Sequence, residues 1–117
     1  MSTRAQIRFA TREDGVSFSE HPEKINAQFY VHSDGYPERL GIDIALSIIY
    51  DGIGLQKNPE IESLDTQHGD LDYIYYVWQV SGKTTWISIF KTNTFNDEKE
   101  KCIFVGEPQK LIDKYDR

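Results

Sequence analysis

The chain has 117 residues, a length that fits one domain with one core. Its 19 acidic side chains outnumber the 13 basic ones, giving a formal charge of −6 at pH 7. This balance argues against binding to nucleic acid or to an anionic membrane, because such binding uses basic patches. Cys102 is the single cysteine, which excludes an intramolecular disulfide and favours a cytoplasmic setting, with this thiol buried in a strand.

The amino terminus lacks the pattern of a secretion signal, and it predicts a strand instead. The longest apolar stretch, residues 40–53, is too short to span a bilayer. Ala5, Ile7 and Phe9 alternate with polar or small residues, so we expect a first strand with these three side chains buried. Residues 14–15 are the favoured hairpin dipeptide Asp-Gly, which predicts a turn into a second strand at residues 16–19. A polar loop follows to residue 24.

The next segment predicts a strand that leads into a helix. Ala27, Phe29 and Val31 fall on one face at a period of two, and Tyr30 and His32 fall on the other. Residues 34–35 (Asp-Gly) then predict a turn with a glycine that tolerates a positive φ, and residue 37 is a proline suited to a first helical turn. Apolar residues recur at spacings of three and four from residue 40 to residue 53, which predicts a mostly buried helix.

The second half of the chain predicts three strands and a helix. A polar connection over residues 56–70 has no clear period and is kept as a candidate site, because long connections are often functional. Residues 71–80 and 83–90 flank a Ser-Gly turn and predict a hairpin with apolar side chains on both faces, as in central strands. Residues 102–105 predict a last strand, and Pro108 opens a helix whose apolar side is formed by Leu111, Ile112 and Tyr115.

These elements predict one α+β domain over residues 1–117, in the order β-β-β-α-β-β-β-α. The two hairpins favour an antiparallel sheet of about six strands, with both helices packed on it.

Two short segments with the spacing His-x-Asp are candidates for chemistry. Residues two apart on an extended strand point the same way, so each segment presents an imidazole beside a carboxylate. If the two segments face each other, they supply ligands for zinc, manganese or iron. The candidate metal ligands are His32, Asp34, His68 and Asp70, with Asp72 extending the second segment. The alternative is that Asp34 stabilises its turn and His68 is a loop residue.

A second hypothesis places acid/base chemistry at one of these segments. His32, Asp34 and Tyr36 are candidate catalytic residues, because a histidine titrates near neutrality and a carboxylate can orient it. The sequence contains no nucleophile elbow, phosphate-binding loop, zincin helix or Cys-x-x-Cys motif, and no cofactor is expected. The aromatic side chains of the hairpin suit stacking on bases or sugars, but a core role is the simpler interpretation: Tyr73, Tyr75, Tyr76, Trp78 and Trp86.

Two segments in the first third of the chain are distinctive: Ser2-Thr3-Arg4-Ala5 and Tyr30-Val-His32-Ser-Asp34-Gly35-Tyr36-Pro37-Glu38. In these segments the chain resembles a family of small uncharacterised proteins of bacteriophages, prophages and bacteria. Many members have tryptophan where this chain has Ser33. The resemblance implies a phage or mobile-element setting and a shared surface at residues 32 and 34–37, and it supplies no reaction.

Together these observations favour a cytoplasmic, non-enzymatic interaction protein whose partner is a host or phage protein. Its acidic charge and aromatic content suit such a role. One alternative is a small enzyme or ligand- or metal-binding domain around His32, Asp34 and Tyr36. Another is a virion or assembly component that associates with itself, for example as a homodimer.

Overall fold

The structure, a computed structural model, describes residues 3–12, 24–32, 35–49, 60–63, 71–80, 85–92 and 101–116. These residues form a single α+β unit with one sheet, as predicted. The strands of the sheet are β1 (Ala5–Arg12), β2 (Lys24–Val31), β3 (Glu60–Glu62), β4 (Tyr73–Val80), β5 (Thr85–Lys91) and β6 (Lys101–Gly106). The helical elements are a π-helical turn (Pro37–Gly41), α1 (Ile42–Ile49) and α2 (Pro108–Tyr115).

The sheet is mixed, so the prediction of a purely antiparallel sheet is wrong. Its strand order is β3-β2-β1-β4-β5-β6. The two central strands, β1 and β4, run parallel, with Ala5 beside Tyr73 and Arg12 beside Val80. The other neighbouring pairs are antiparallel. Tight turns force antiparallel neighbours, but β1 and β4 are separated by β2, α1 and β3, and a connection of that length can bring the chain back in the same direction.

The strands at the start of the chain also differ from the prediction. β1 pairs with β2 along one edge and with β4 along the other, and the predicted second strand at residues 16–19 lies outside the described ranges. A strand instead arises in the connection after α1, where β3 pairs with β2 and places Glu62 opposite Gln28. A three-residue strand is too short to show a period in the sequence.

The predicted helix begins earlier than its apolar pattern indicates. Pro37 is the first residue of the π-helical turn, and α1 follows without a break to Ile49, while residues 50–53 lie outside the described ranges. Gly41 is buried where the helical layer meets the sheet and α2. A Cβ atom built there would lie 3.4 Å from Leu111 Cδ2 and 3.6 Å from Tyr75 Cε1.

The two faces of the sheet carry separate apolar clusters. On the helix-covered face both helices pack over one cluster: Ala5, Ile7, Val31, Leu40, Ile44, Ala45, Tyr75, Val77, Ile87, Ile89 and Leu111. The second face, defined by the opposite side chains of the same strands, has its own buried cluster: Ala10, Leu71, Ile74, Tyr76, Trp78 and Phe90. The prediction that β4 and β5 are buried on both faces is therefore confirmed.

The prediction for β1 is only partly right. Ala5 and Ile7 are buried, but Phe9 is 40% exposed. Gln6, expected on the exposed side, is fully buried on the second face. The alternation of side chains is correct, and the error lies in assuming that only one face is covered.

β6 forms an edge of the described sheet, and its pairing is irregular. Ile89 lies opposite Phe104 and Phe90 opposite Cys102, so the register skips Ile103. The Lys114 ammonium of α2 donates to the carbonyl of Ile103 at 3.0 Å. Cys102 is half-buried, less than predicted, and its thiol lies 3.5 Å from the carbonyl oxygen of Phe104. α2 confirms the predicted terminal helix, with Leu111 fully buried.

Candidate functional site

The glycine of the His-x-Asp-Gly-Tyr-Pro segment has a structural role. Gly35 donates its N–H to the carbonyl of Thr3 at 3.0 Å. A Cβ atom at Gly35 would lie 2.8 Å from Ala5 Cβ and 3.0 Å from Thr3 O, so no side chain fits there. Its φ is not in the left-handed region, so the tolerance of glycine for a positive φ is not used here. This glycine is needed because two backbone segments approach closely.

The Tyr75 hydroxyl forms a hydrogen bond with the same turn. It donates to the carbonyl oxygen of Gly35 at 2.5 Å, and Tyr75 is fully buried. Burial raises the pKa of Tyr75 well above its ordinary value, and the nearby Tyr73, Tyr115 and Glu38 raise it further. The phenol therefore stays neutral and serves as a hydrogen-bond donor to the turn.

Tyr36 and Pro37 start the helix. Tyr36 has an extended backbone, and its carbonyl accepts the N–H groups of Arg39 at 3.0 Å and Leu40 at 2.9 Å. Pro37 is buried at the first helical position, where its missing N–H is not needed. The backbone of Tyr36 thus caps the helix, and its half-buried side chain makes no cap hydrogen bond.

Of the two described candidates, His32 is exposed and Tyr36 is half-buried. His32 follows the last residue of β2, and its Nδ1 lies 3.2 Å from the Tyr30 hydroxyl, with ring centroids 6.1 Å apart. Tyr30 packs against the cluster of the second face, whereas Tyr36 leads into the helical layer on the other face. The described contact of His32 is therefore with Tyr30 and not with Tyr36.

Three of the four candidate metal ligands are outside the described structure. Asp34, His68 and Asp70 lie outside the described ranges. Asp72, which extends the second segment, accepts the backbone N–H of Arg4 at 3.0 Å and so fastens the start of the parallel pair. Within the described residues, no three His, Cys, Asp or Glu side chains gather closely enough to hold a metal ion.

A row of polar side chains, which was not predicted from the sequence, crosses the second face. The row follows the strand register through β2, β1, β4 and β5 as Gln28, Arg8, Tyr76 and Ser88. Three of its members are at most 3% exposed, and Arg8 is half-buried. A signal was present, because polar residues occupied alternate strand positions, but alternation alone does not tell a polar interior from a solvated face.

Arg8 is the charged member of this row. Its Nη1 donates to the Tyr76 hydroxyl at 2.7 Å, and its Nη2 donates to Gln6 Oε1 at 2.8 Å. Its guanidinium carbon lies 5.5 Å from the centre of the Tyr76 ring. At the far end of the row, the Trp78 indole N–H donates to Ser88 Oγ at 2.9 Å.

The aromatic side chains proposed for stacking divide between the two faces. Tyr73 and Tyr75 lie on the helix-covered face, and Tyr76, Trp78 and Trp86 lie on the second face. Trp78 stacks on Trp86 with centroids 5.8 Å apart, and Tyr76 meets Phe90 edge to face at 5.4 Å. Because Tyr75, Tyr76 and Trp78 are almost fully buried, these rings form core.

Phe9 and Phe29 form an aromatic pair on the helix-covered side of β1 and β2, and only the Phe9 ring is exposed. We call this pair, together with Ala27, the Phe9 corner. Phe9 lies opposite Ala27 and meets Phe29 edge to face, with centroids 5.6 Å apart. Phe29 and Ala27 are half-buried. Phe9 thus presents an apolar ring to solvent from a central strand.

No protein-family model, curated protein or solved structure matched this chain. None of the helices in the described ranges is long and apolar enough to span a bilayer.

Proposed function

We propose that this protein is a small, cytoplasmic, non-enzymatic interaction module that binds another protein through the Phe9 corner. Following the resemblance in the first third of the chain, its setting is a phage or prophage, and its partner is a host protein. The observation that carries the proposal is the 40% exposure of Phe9 on a central strand, beside a second phenylalanine.

Phenylalanine in that place favours binding for two reasons. Aromatic rings are enriched at the centres of interfaces, where burial of each ring contributes strongly to affinity. Phe9 is also held by its edge-to-face contact with Phe29 and by the backbone pairing of β1 on both sides. A ring that is already fixed loses little conformational entropy when a partner covers it.

The net negative charge of the chain indicates the charge of its partner. A formal charge of −6 favours a partner with basic residues around an apolar pocket, since opposite charges accelerate the encounter of two proteins. Strand addition at β6 is disfavoured, because the register skips Ile103 and Lys114 occupies its carbonyl. We therefore expect docking through side chains on the sheet face.

The experiment compares two equally exposed apolar residues. Phe9 and Ile49 are each 40% exposed, so Phe9→Ser and Ile49→Ser remove similar apolar surface from β1 and from the end of α1. Each protein is immobilised and incubated with bacterial lysate, and captured proteins are identified by mass spectrometry. We expect one basic protein to be captured by the wild type and by Ile49→Ser, to be lost from Phe9→Ser, and to be released by salt.

Thermal unfolding of both variants serves as the control for folding. Equal capture by Phe9→Ser and the wild type contradicts a role for the Phe9 corner, and an empty wild-type capture contradicts the interaction proposal. Light scattering tests the alternative of self-association. A dimer that becomes a monomer in Phe9→Ser identifies a second copy of this chain as the occupant.

A second candidate function is a small enzyme or ligand- or metal-binding domain around His32, Asp34 and Tyr36. Its specific support is the contact between the exposed His32 imidazole and the Tyr30 hydroxyl. When Tyr30 donates to Nδ1, the neutral imidazole carries its own proton on Nε2 and is oriented for proton donation. In the other tautomer, Nδ1–H donates to the Tyr30 hydroxyl oxygen and Nε2 is the lone-pair nitrogen that can bind a metal.

Zinc titration followed by calorimetry tests the metal version of this candidate. We expect binding with one ion per chain in the wild type, loss of binding in His32→Gln, and retention in His21→Gln, which removes a histidine outside the candidate set. Equal binding by both variants, or no binding by the wild type, removes zinc from consideration.

A further inference from the structure

We propose that Arg8 binds a small organic or inorganic oxyanion, carrying a carboxylate or a phosphate, at the second face of the sheet. This site is separate from the Phe9 corner, because Arg8 and Phe9 are consecutive residues of β1 and point to opposite faces. The proposal rests on the surroundings of the Arg8 guanidinium.

The hydrogen-bonded neighbours of Arg8 are neutral. Its two terminal nitrogens donate to a tyrosine hydroxyl and to a glutamine oxygen, at 2.7 and 2.8 Å. Its Nε is buried and has no hydrogen-bond partner. Guanidinium has five N–H donors and always carries its charge. Among the side chains that the structure describes, Arg8 therefore keeps unused donors and has no carboxylate partner.

A cation in this position conflicts with the usual rules of folding. Charged groups inside proteins are normally paired, since burial removes them from water. Arg8 is half-buried in the middle of a row whose neighbours Gln28 and Tyr76 are almost fully buried. Positions where a fold breaks such rules are often functional, because the missing partner is supplied by a ligand.

The geometry of the row favours an oxyanion as that partner. The planar fork of arginine matches the two oxygens of a carboxylate or phosphate and holds them with paired hydrogen bonds. Tyr76 fixes the guanidinium both through its hydroxyl and through its ring. Gln6 also fixes the guanidinium, because its Oε1 accepts from Nη2 at 2.8 Å.

Within the described strands, a glutamate lies in line with the row by register. β3 places Glu62 opposite Gln28, two strands away from Arg8. If Glu62 is the natural partner of Arg8, then Glu62→Gln destabilises the protein in the absence of any anion. If the partner is an external oxyanion, then Glu62→Gln leaves stability nearly unchanged.

The test is nuclear magnetic resonance on the full chain, with inorganic phosphate and acetate as separate probes at constant ionic strength set by sodium chloride. The Arg8 Nε–H resonance reports the site directly. We expect it to shift in a saturable manner with at least one probe, and the probe that binds more tightly identifies phosphate or carboxylate as the source. Arg8→Gln should weaken that binding about tenfold or more.

The control is Arg39→Gln, which removes an exposed arginine from the π-helical turn and should leave binding unchanged. Arg8→Lys keeps the charge and removes the planar fork, so it should bind more weakly than the wild type. Thermal unfolding without added anion should show Arg8→Gln to be at least as stable as the wild type. A resonance that neither probe moves, or equal binding by Arg8→Gln, overturns the proposal, as does a strongly destabilised Glu62→Gln.

Discussion

The two faces of this sheet are stabilised in different ways. On the helix-covered face, apolar side chains fill the space under both helices, and the buried hydroxyl of Tyr75 is bonded to a backbone carbonyl. On the second face, a polar row with a cation at Arg8 runs through an apolar cluster. The first arrangement accounts for the fold. The second includes polar groups that folding alone does not require, which is why we look for a ligand there.

The largest expected effect is on the helix-covered face. Leu40 is fully buried in its cluster, so Leu40→Ala should reduce the free energy of unfolding by about 2–5 kcal/mol through lost burial and a cavity. Ile49→Ala is the control on the same helical segment, because Ile49 is 40% exposed and should cost less than about 1 kcal/mol. Urea unfolding measures both, and equal losses would show that the helices do not seal this face as described.

A smaller effect is expected where the turn after β2 meets the start of β1. Gly35→Ala should cost about 1–3 kcal/mol, because the added methyl group would lie 2.8 Å from Ala5 Cβ and 3.0 Å from a backbone oxygen. Gly41→Ala is the matched control. Its methyl group makes an ordinary 3.4 Å contact with Leu111, and alanine favours the helix, so stability should be unchanged or slightly higher. Denaturant midpoints that fall equally in both variants contradict the close approach at Gly35.

The sequence predicted those elements whose pattern is long enough to read. The strands β4 and β5, the helix that follows Pro37 and the terminal helix each have at least seven residues and carry an apolar pattern. β3 has three residues, and the parallel pairing of β1 with β4 depends on contacts between distant segments. Neither leaves a local signal.

The candidate site was harder to predict for a related reason. Spacing identified His32 and Tyr36 as possible neighbours, but β2 and the π-helical turn lead them to different layers. Arg8 and Tyr76 are far apart in the sequence and meet because β1 and β4 are parallel neighbours. Residues brought together by such pairing are found only when the strand order is known.

The next prediction concerns the hydroxyl of Tyr75. Tyr75→Phe should cost about 1–2 kcal/mol at pH 7, because the buried carbonyl of Gly35 loses its 2.5 Å donor. Tyr73→Phe, a half-buried tyrosine on the same face, is the control and should cost less. Chemical unfolding at pH 7 measures both, and an equal cost would show that the Tyr75 hydroxyl contributes nothing specific.

Comparison of Tyr75→Phe with the wild type also tests the effect of alkaline pH on stability. Burial raises the pKa of Tyr75 in the folded state above its unfolded value near 10, so the unfolded chain loses this proton first. The stability linked to Tyr75 is therefore complete below pH 10 and falls above it, by about 1.4 kcal/mol per pH unit. Unfolding curves between pH 9 and about pH 11 should fall less steeply for Tyr75→Phe than for the wild type. Parallel curves would contradict the buried position of this phenol.

The smallest expected effect is on the second face. It is the coupling energy of a buried hydrogen bond between two polar side chains. The Trp78 indole donates to Ser88 Oγ at 2.9 Å, and both residues are at most 1% exposed. A double-mutant cycle of Trp78→Phe and Ser88→Ala should give a coupling energy of about 0.5–1.5 kcal/mol, the net value of one such bond. Trp78→Phe with Tyr73→Phe, on the opposite face, is the control cycle and should give a coupling near zero. Zero coupling between Trp78 and Ser88 would mean that these groups do not depend on each other. The polar row would then be a series of separate residues, and Arg8 would lack the fixed surroundings that a binding site requires.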